Sequence, residues 1–113
     1  TFHAVQAFVP HMVENGWGRI VVLSQPGVFP PRGNNYAYAV GKGGQEPLAL
    51  SLAEELKGTG VTSNVILVRS LGARDESNDN RTTPEEIAST IVYLCSDEAG
   101  MINGARIPAH GRP

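Results

Sequence analysis

Apolar residues recur at helical spacing from the start of the chain. Phe2, Val5, Val9, Met12 and Val13 fall on one side of a helix predicted over residues 1–15, and the Asn15–Gly16 pair reads as its stop. Pro10 lies inside that helix, where its missing N–H removes one backbone bond and predicts a kink. "RIVVLS", 19–24, is a β-branched apolar run, long enough for a strand and too short for a free-standing helix; its unbroken apolar character predicts burial on both faces. "VTSNVILV", 61–68, is a second such run and "GARIP", 104–108, a weaker third. Between the first two, Leu48, Leu52 and Leu56 form the stripe of a helix ending at Gly58. Thr83 as N-cap, Pro84 in the first turn and Glu86 completing a capping box open a last helix, with Ile87, Ile91 and Cys95 as its predicted apolar stripe. Residues 25–35, with three prolines and two glycines, and the aperiodic 69–81 read as loops, the second a mobile one.

The order helix, strand, helix, strand, helix, strand predicts an α/β fold: a parallel sheet of about three strands with flanking helices and right-handed crossovers. No internal repeat or low-complexity tract interrupts it. At 113 residues the chain is one domain's worth. It opens on Thr1 in place of a methionine, which initiator removal and truncation both explain.

The stretch "YAYAVGKGGQEP", 36–47, admits two readings. In one, Pro47 opens the helix and Tyr38 and Lys42 lie in a loop. In the other, a single helix starts near Tyr36 and runs through Pro47, against local penalties of about 1 kcal/mol for each of Gly41, Gly43 and Gly44 and about 3 kcal/mol for the proline. Packing through Tyr36, Val40 and the close approach glycines allow would have to offset roughly 6 kcal/mol, with a kink expected at Gly43 to Pro47.

Charge narrows the partners. Nine basic and eleven acidic residues, net −2, are spread along the chain and offer no footprint for nucleic acid or an anionic membrane. No stretch has the length of an apolar span, and no leader precedes a cleavage site. Cys95 is the lone cysteine, so no internal disulfide forms; its setting in "IVYLCS" predicts a buried thiol and a cytoplasmic, reducing compartment. Small molecules or other proteins are the expected partners.

Several stretches together resemble the second half of a short-chain dehydrogenase/reductase: "HMVENGWGRIVVLS", the Tyr38-x-x-x-Lys42 pair, "SLAEEL" followed by "GVTSNVI", and "TPEEIASTIVYLCSDEAGMINGARIPAHG". The resemblance runs nearly end to end. It implies that residues 1–113 form the C-terminal half of a Rossmann-like, doubly wound domain whose dinucleotide-binding half is absent. It also implies hydride transfer between NAD or NADP and an alcohol or carbonyl substrate. The residue matching Tyr38 is then the general acid/base for the substrate oxygen, and the one matching Lys42 holds the nicotinamide ribose and favours the phenolate. Such a phenol is a poor base at neutral pH without nearby positive charge, and one helical turn puts both groups on one face.

Three departures from the family pattern bear on activity. The family's catalytic serine precedes the tyrosine by thirteen positions, where this chain has Gln25. Gln25 either donates an amide hydrogen bond to a carbonyl or is an ordinary loop residue; Ser24 is adjacent but, by strand alternation, points to the opposite face. After the second strand, Val68 and Arg69 stand where the family has Pro-Gly at the nicotinamide. Arg69 either contacts a phosphate or carboxylate there or faces solvent. No G-x-G-x-x-G is present, since "GKGGQE" and "GWGRIV" both lack the final glycine, so the chain alone is expected not to bind NAD or NADP tightly.

Other chemistries find little support. His3, His11 and His110 lack metal-ligand spacing, "VLSQP" is not a nucleophile elbow, and Asp97 and Glu98 read as solvated charges. Two readings therefore stand: half of a dehydrogenase, inactive without its complement, or a non-enzymatic remnant that persists as an oligomerising α/β module.

Overall fold

The computed structural model describes residues 1–26, 33, 36–75 and 80–111. Helix α1, Phe2–Asn15, leads to strand β1, Gly18–Ser24; helix α2, Tyr36–Glu55, to β2, Val61–Leu67; helix α3, Pro84–Leu94, and a 3-10 helix, Asp97–Met101, to β3, Arg106–Pro108. The sheet is parallel throughout in the order β1-β2-β3, with Gly18 opposite Val61 through Ser24 opposite Leu67, and Val65 opposite Arg106 through Leu67 opposite Pro108. This is the three-stranded α/β unit that the alternation of elements predicts.

Strand β2 is central, and all seven of its residues are buried. Its two faces serve different helices. Val22, Val65 and Leu67 pack on Ala49 of α2, and Leu52, Leu56 and Val61 pack with Val5, Val9 and Met12 of α1. Ile66 faces the other way, against Ile87 and Leu94 of α3. The expected stripe Leu48–Leu52–Leu56 thus meets Val5, Val9 and Met12 of the α1 stripe, while Phe2 and Val13, expected on the same side, are exposed.

β1 departs from expectation. Among the described residues it is the sheet's outer strand, Leu23 is 36% exposed and Arg19, Ile20 and Val21 are half-buried. Apolar continuity there does not produce full burial on both faces: helices cover Ile20 and Val21 only in part, and among the described residues no strand pairs with the outer edge of β1. Cys95 is also exposed and not buried. The stripe of α3 runs Ile87, Ile91, Leu94, so Leu94 takes the inward place and Cys95, the C-cap, turns past it.

Local chemistry sets several boundaries as read from the sequence. Gly16 closes α1 in the left-handed conformation at φ 69°, and its N–H bonds the Val13 carbonyl at 3.1 Å. Thr83 and Glu86 form the reciprocal capping box of α3 with Pro84 in the first turn. α2 is one helix from Tyr36 through Pro47, the longer of the two readings, with Ala49, Leu52 and Ala53 buried on the sheet. At two of its glycines nothing in this chain approaches closely: a Cβ at Gly41 or Gly44 would meet nothing within 4 Å.

The loop expectation for 25–35 falls largely outside the described residues, as does that for 76–79. The described part of 69–81 has no helix or strand but makes tertiary contacts. Leu71 bridges Thr82, Arg74 Nε donates to the Arg81 carbonyl at 2.8 Å, and Arg74 Nη2 lies 2.7 Å from Glu86. These contacts join partners separated in sequence, which no periodicity signals.

Two side-chain amides, Asn64 buried and Asn103 half-buried, fasten the final strand. Asn64 Nδ2 donates to the Ile102 carbonyl (2.8 Å) while its Oδ1 accepts from Ala105 N (2.9 Å). Asn103 Oδ1 accepts from Ser63 N (2.9 Å) while its Nδ2 donates to the Ala53 carbonyl (2.8 Å). Each residue uses both ends of its amide, which sets the register of a strand too short to set its own.

Candidate active site

The first turns of α2 and the ends of β1 and β2 converge on one hollow of about 290 Å³. Helical spacing carries Tyr38 and Lys42 to it from α2; Ser24 and Gln25 reach it from the end of β1, and Val68 and Arg69 from the end of β2. The five residues singled out from the sequence, Tyr38, Lys42, Gln25, Val68 and Arg69, therefore share one cavity.

Hydrogen bonds order this cluster. Tyr38 Oη donates to Gln25 Oε1 at 3.1 Å, and Gln25 Nε2 donates to the Arg69 carbonyl at 3.3 Å. Lys42 Nζ donates to the Leu23 carbonyl at 3.1 Å. Val68 N donates to the Ser24 carbonyl at 2.8 Å, which extends the β1–β2 pairing one step and holds the backbone beneath Gln25. Tyr38 is 43% exposed, so its ring is only half covered.

Lys42 brings an ammonium to the hollow, and its lining among the described residues includes no carboxylate, a setting that favours negative charge developing on a bound oxygen. Leu23, Leu71 and Ile87 supply an apolar wall. Leu71 could not have been assigned from its surroundings in the sequence, because its position depends on the bridge to Thr82. Ser24 was set aside by strand alternation, yet it also lines the hollow. Gln25 lies past the end of β1, where alternation no longer governs, and Ser24 Oγ, in a residue only 4% exposed, has no hydrogen-bond partner among the described residues.

The donor set fits one end of a nicotinamide dinucleotide. Of the three hydrogens on Lys42 Nζ one is used by Leu23, leaving two for a ribose diol. For the pyrophosphate, the sequence has no glycine-rich strand-to-helix turn. No group of three or more His, Cys, Asp or Glu side chains among the described residues is placed to hold a metal ion. No helix among them is long and apolar enough to cross a membrane.

Beside the hollow, the segment after β2 is clasped to α3. Glu86 accepts from Thr83 N at 2.9 Å and from Arg74, and these bonds, that to the Thr83 backbone first, hold its carboxyl below the ordinary 4.5. A second hollow, of about 420 Å³, lies between α1 and β1, lined by Val5, Phe8, Val9, Met12 and Ile20 among others.

Comparison with known proteins gives a single answer. The short chain dehydrogenase profile matches residues 1–81. The 3-oxoacyl-[acyl-carrier-protein] reductase MabA of Mycobacterium bovis is 30% identical over 125 aligned residues, covering 97% of this chain and 51% of that protein. Acetoin dehydrogenase YohF from Salmonella typhimurium superposes with a TM-score of 0.85 at 24% identity, over 97% of this chain and 49% of its own. A candidate NAD(P) dependent gluconate 5-dehydrogenase from Beutenbergia cavernae, solved with bound NADP at low occupancy, matches at 26% identity and a TM-score of 0.80, over 95% of this chain and 50% of its own. The chain spans about half the length of the relatives it matches. It belongs to the short chain dehydrogenase family.

Proposed function

We propose that residues 1–113 are the C-terminal, substrate-side half of an NAD(P)-dependent short chain dehydrogenase. In this reading it interconverts a small alcohol and its carbonyl compound when joined to a dinucleotide-binding half. The observation that carries the reading is the meeting of Tyr38, Lys42 and Gln25 in one hollow. Tyr38 Oη gives its proton to the substrate oxygen in reduction and takes it back in oxidation. Lys42 holds the ribose hydroxyls and stabilises negative charge on the reacting oxygen; Val68 and Arg69 border the nicotinamide. When bound, the cofactor supplies or accepts the hydride. Gln25 occupies the position of the family's serine and, with Val68 and Arg69, departs from the family pattern at this site. A cytoplasmic setting accords with the single cysteine.

The test is complementation. Co-expression with the N-terminal half of a relative should give NAD(P)H oxidation with small ketones, and Tyr38→Phe should lower that rate by about a hundredfold or more. A rate indifferent to Tyr38→Phe would remove the reading. The alternative, a non-enzymatic oligomerising module, is favoured by one observation: the outer side of β1 is unpaired among the described residues and lies beside an apolar hollow.

A further inference from the structure

We propose that the Gln25 side chain is a built-in carbonyl ligand of Tyr38 that closes the site, and that its place is a binding site for a small primary amide. The hydrogen-bond network itself fixes the orientation of the amide. The Arg69 carbonyl can only accept, so the nitrogen of Gln25 must face it at 3.3 Å, and the oxygen must face Tyr38 at 3.1 Å. Gln25 Oε1 is an sp² carbonyl oxygen, the same kind of acceptor as the oxygen of a ketone.

Tyr38 has one hydroxyl proton to donate. While Gln25 Oε1 receives it, no other carbonyl does, and an incoming ligand must first displace the side chain. Apparent affinity is then the intrinsic affinity scaled by the fraction of molecules with Gln25 swung away. The backbone need not move for this, because Val68 N holds the Ser24 carbonyl at 2.8 Å. The vacated place has a hydroxyl donor at one end, a backbone acceptor at the other and the apolar side chains of Leu71 and Ile87 on the same hollow. A primary amide remakes both bonds, whereas a ketone remakes only that to Tyr38. The amide is therefore the tighter ligand of the opened site. The link to turnover rests on the proposed function; the binding site does not.

Titration of the full chain with propionamide and butanone, followed by the NMR signals of the Tyr38 ring, tests this. Gln25→Gly should bind propionamide at least tenfold more tightly than the unmodified chain and more tightly than butanone, and the added Tyr38→Phe substitution, followed through Leu71 and Ile87 methyl signals, should abolish the gain. Gln25→Ala serves as a second opened variant that keeps the backbone less free. Equal propionamide affinity with and without the Gln25 side chain, or a gain that survives Tyr38→Phe, would overturn the proposal. An inactive complemented enzyme whose Gln25→Gly form still binds propionamide would remove the dehydrogenase reading and leave this one standing.

Discussion

Arg74 Nη2 sits 2.7 Å from both carboxylate oxygens of Glu86, and this contact joins the segment leaving β2 to the first turn of α3. The same carboxylate accepts the Thr83 N–H, so one ionised group caps a helix and clasps a loop. Because folding lowers the pKa of Glu86, its contribution is fully present above the ordinary 4.5 and is lost as pH falls through the lower folded value. Glu86→Gln keeps the capping geometry and removes the charge. Thermal midpoints should therefore differ between the two proteins at neutral pH and converge in acid. A gap that persists unchanged well below the carboxylate range would refute the ion-pair account.

Glycine substitutions should separate by environment. Gly60, at φ +84°, has the Gly16 carbonyl oxygen 2.0 Å from where a Cβ would stand, so Gly60→Ala must shift backbone and should destabilise by more than about 2 kcal/mol. Gly16, at φ +69° with nothing near, incurs only the left-handed penalty of about 1–2 kcal/mol. Gly44 is helical and open, and Gly44→Ala should stabilise by about 0.4–1 kcal/mol. Urea denaturation gives all three values, and destabilisation by Gly44→Ala would mean that the glycine is needed for packing beyond this chain.

These contrasts show what the sequence could convey. The Thr83–Pro84–Glu86 signal is local, and it placed the start of α3 correctly. α2 was different: its three glycines and Pro47 argue against a helix on propensity alone, and only family resemblance favoured the longer reading. Ala49, Leu52 and Ala53, the buried residues of α2, all follow Pro47, where both readings place helix, while Tyr36 and Val40, expected to pack the earlier turns, are exposed. Tyr38 and Lys42 were legible as a pair because one helical turn separates them. The tie from Gln25 to Arg69 was not, because it spans 44 residues and depends on two strand ends meeting. Exposure of Leu23 and Cys95 likewise depends on what surrounds them in space.

Dinucleotide binding by the 113-residue chain should be weak. Lys42 can hold a ribose, but backbone donors at a glycine-rich turn supply much of the affinity for a pyrophosphate, and the sequence has no such turn. Calorimetric titration with NADH and NADPH should give dissociation constants weaker than about 1 mM, or about −4 kcal/mol. Micromolar binding would point to a phosphate site of another kind.

The outer side of β1 should also have consequences in solution. A strand edge that is unpaired among the described residues, beside the hollow lined by Val5, Val9 and Phe8, the last 63% exposed, is a surface that proteins seldom leave bare. Sedimentation of the chain at tens of micromolar should show a dimer or larger assembly. Phe8→Glu should dissociate it, and a monodisperse monomer before substitution would contradict the expectation.

The two-handed grip of Asn103 also bears on chemical ageing. Asn-Gly is the sequence at which a side-chain amide most readily cyclises onto the following backbone nitrogen and is lost as ammonia, and Asn103 is followed by Gly104. In the folded chain both ends of that amide are held, by Ser63 and Ala53, and the Gly104 nitrogen is occupied by the Ser63 carbonyl at 2.9 Å. Unfolding frees all three at once. Time spent unfolded would then accumulate as an acidic form, visible on isoelectric focusing, in which a carboxylate cannot donate to Ala53 and the last strand loses its fastening. For such a molecule the excursion is a clock that runs in one direction.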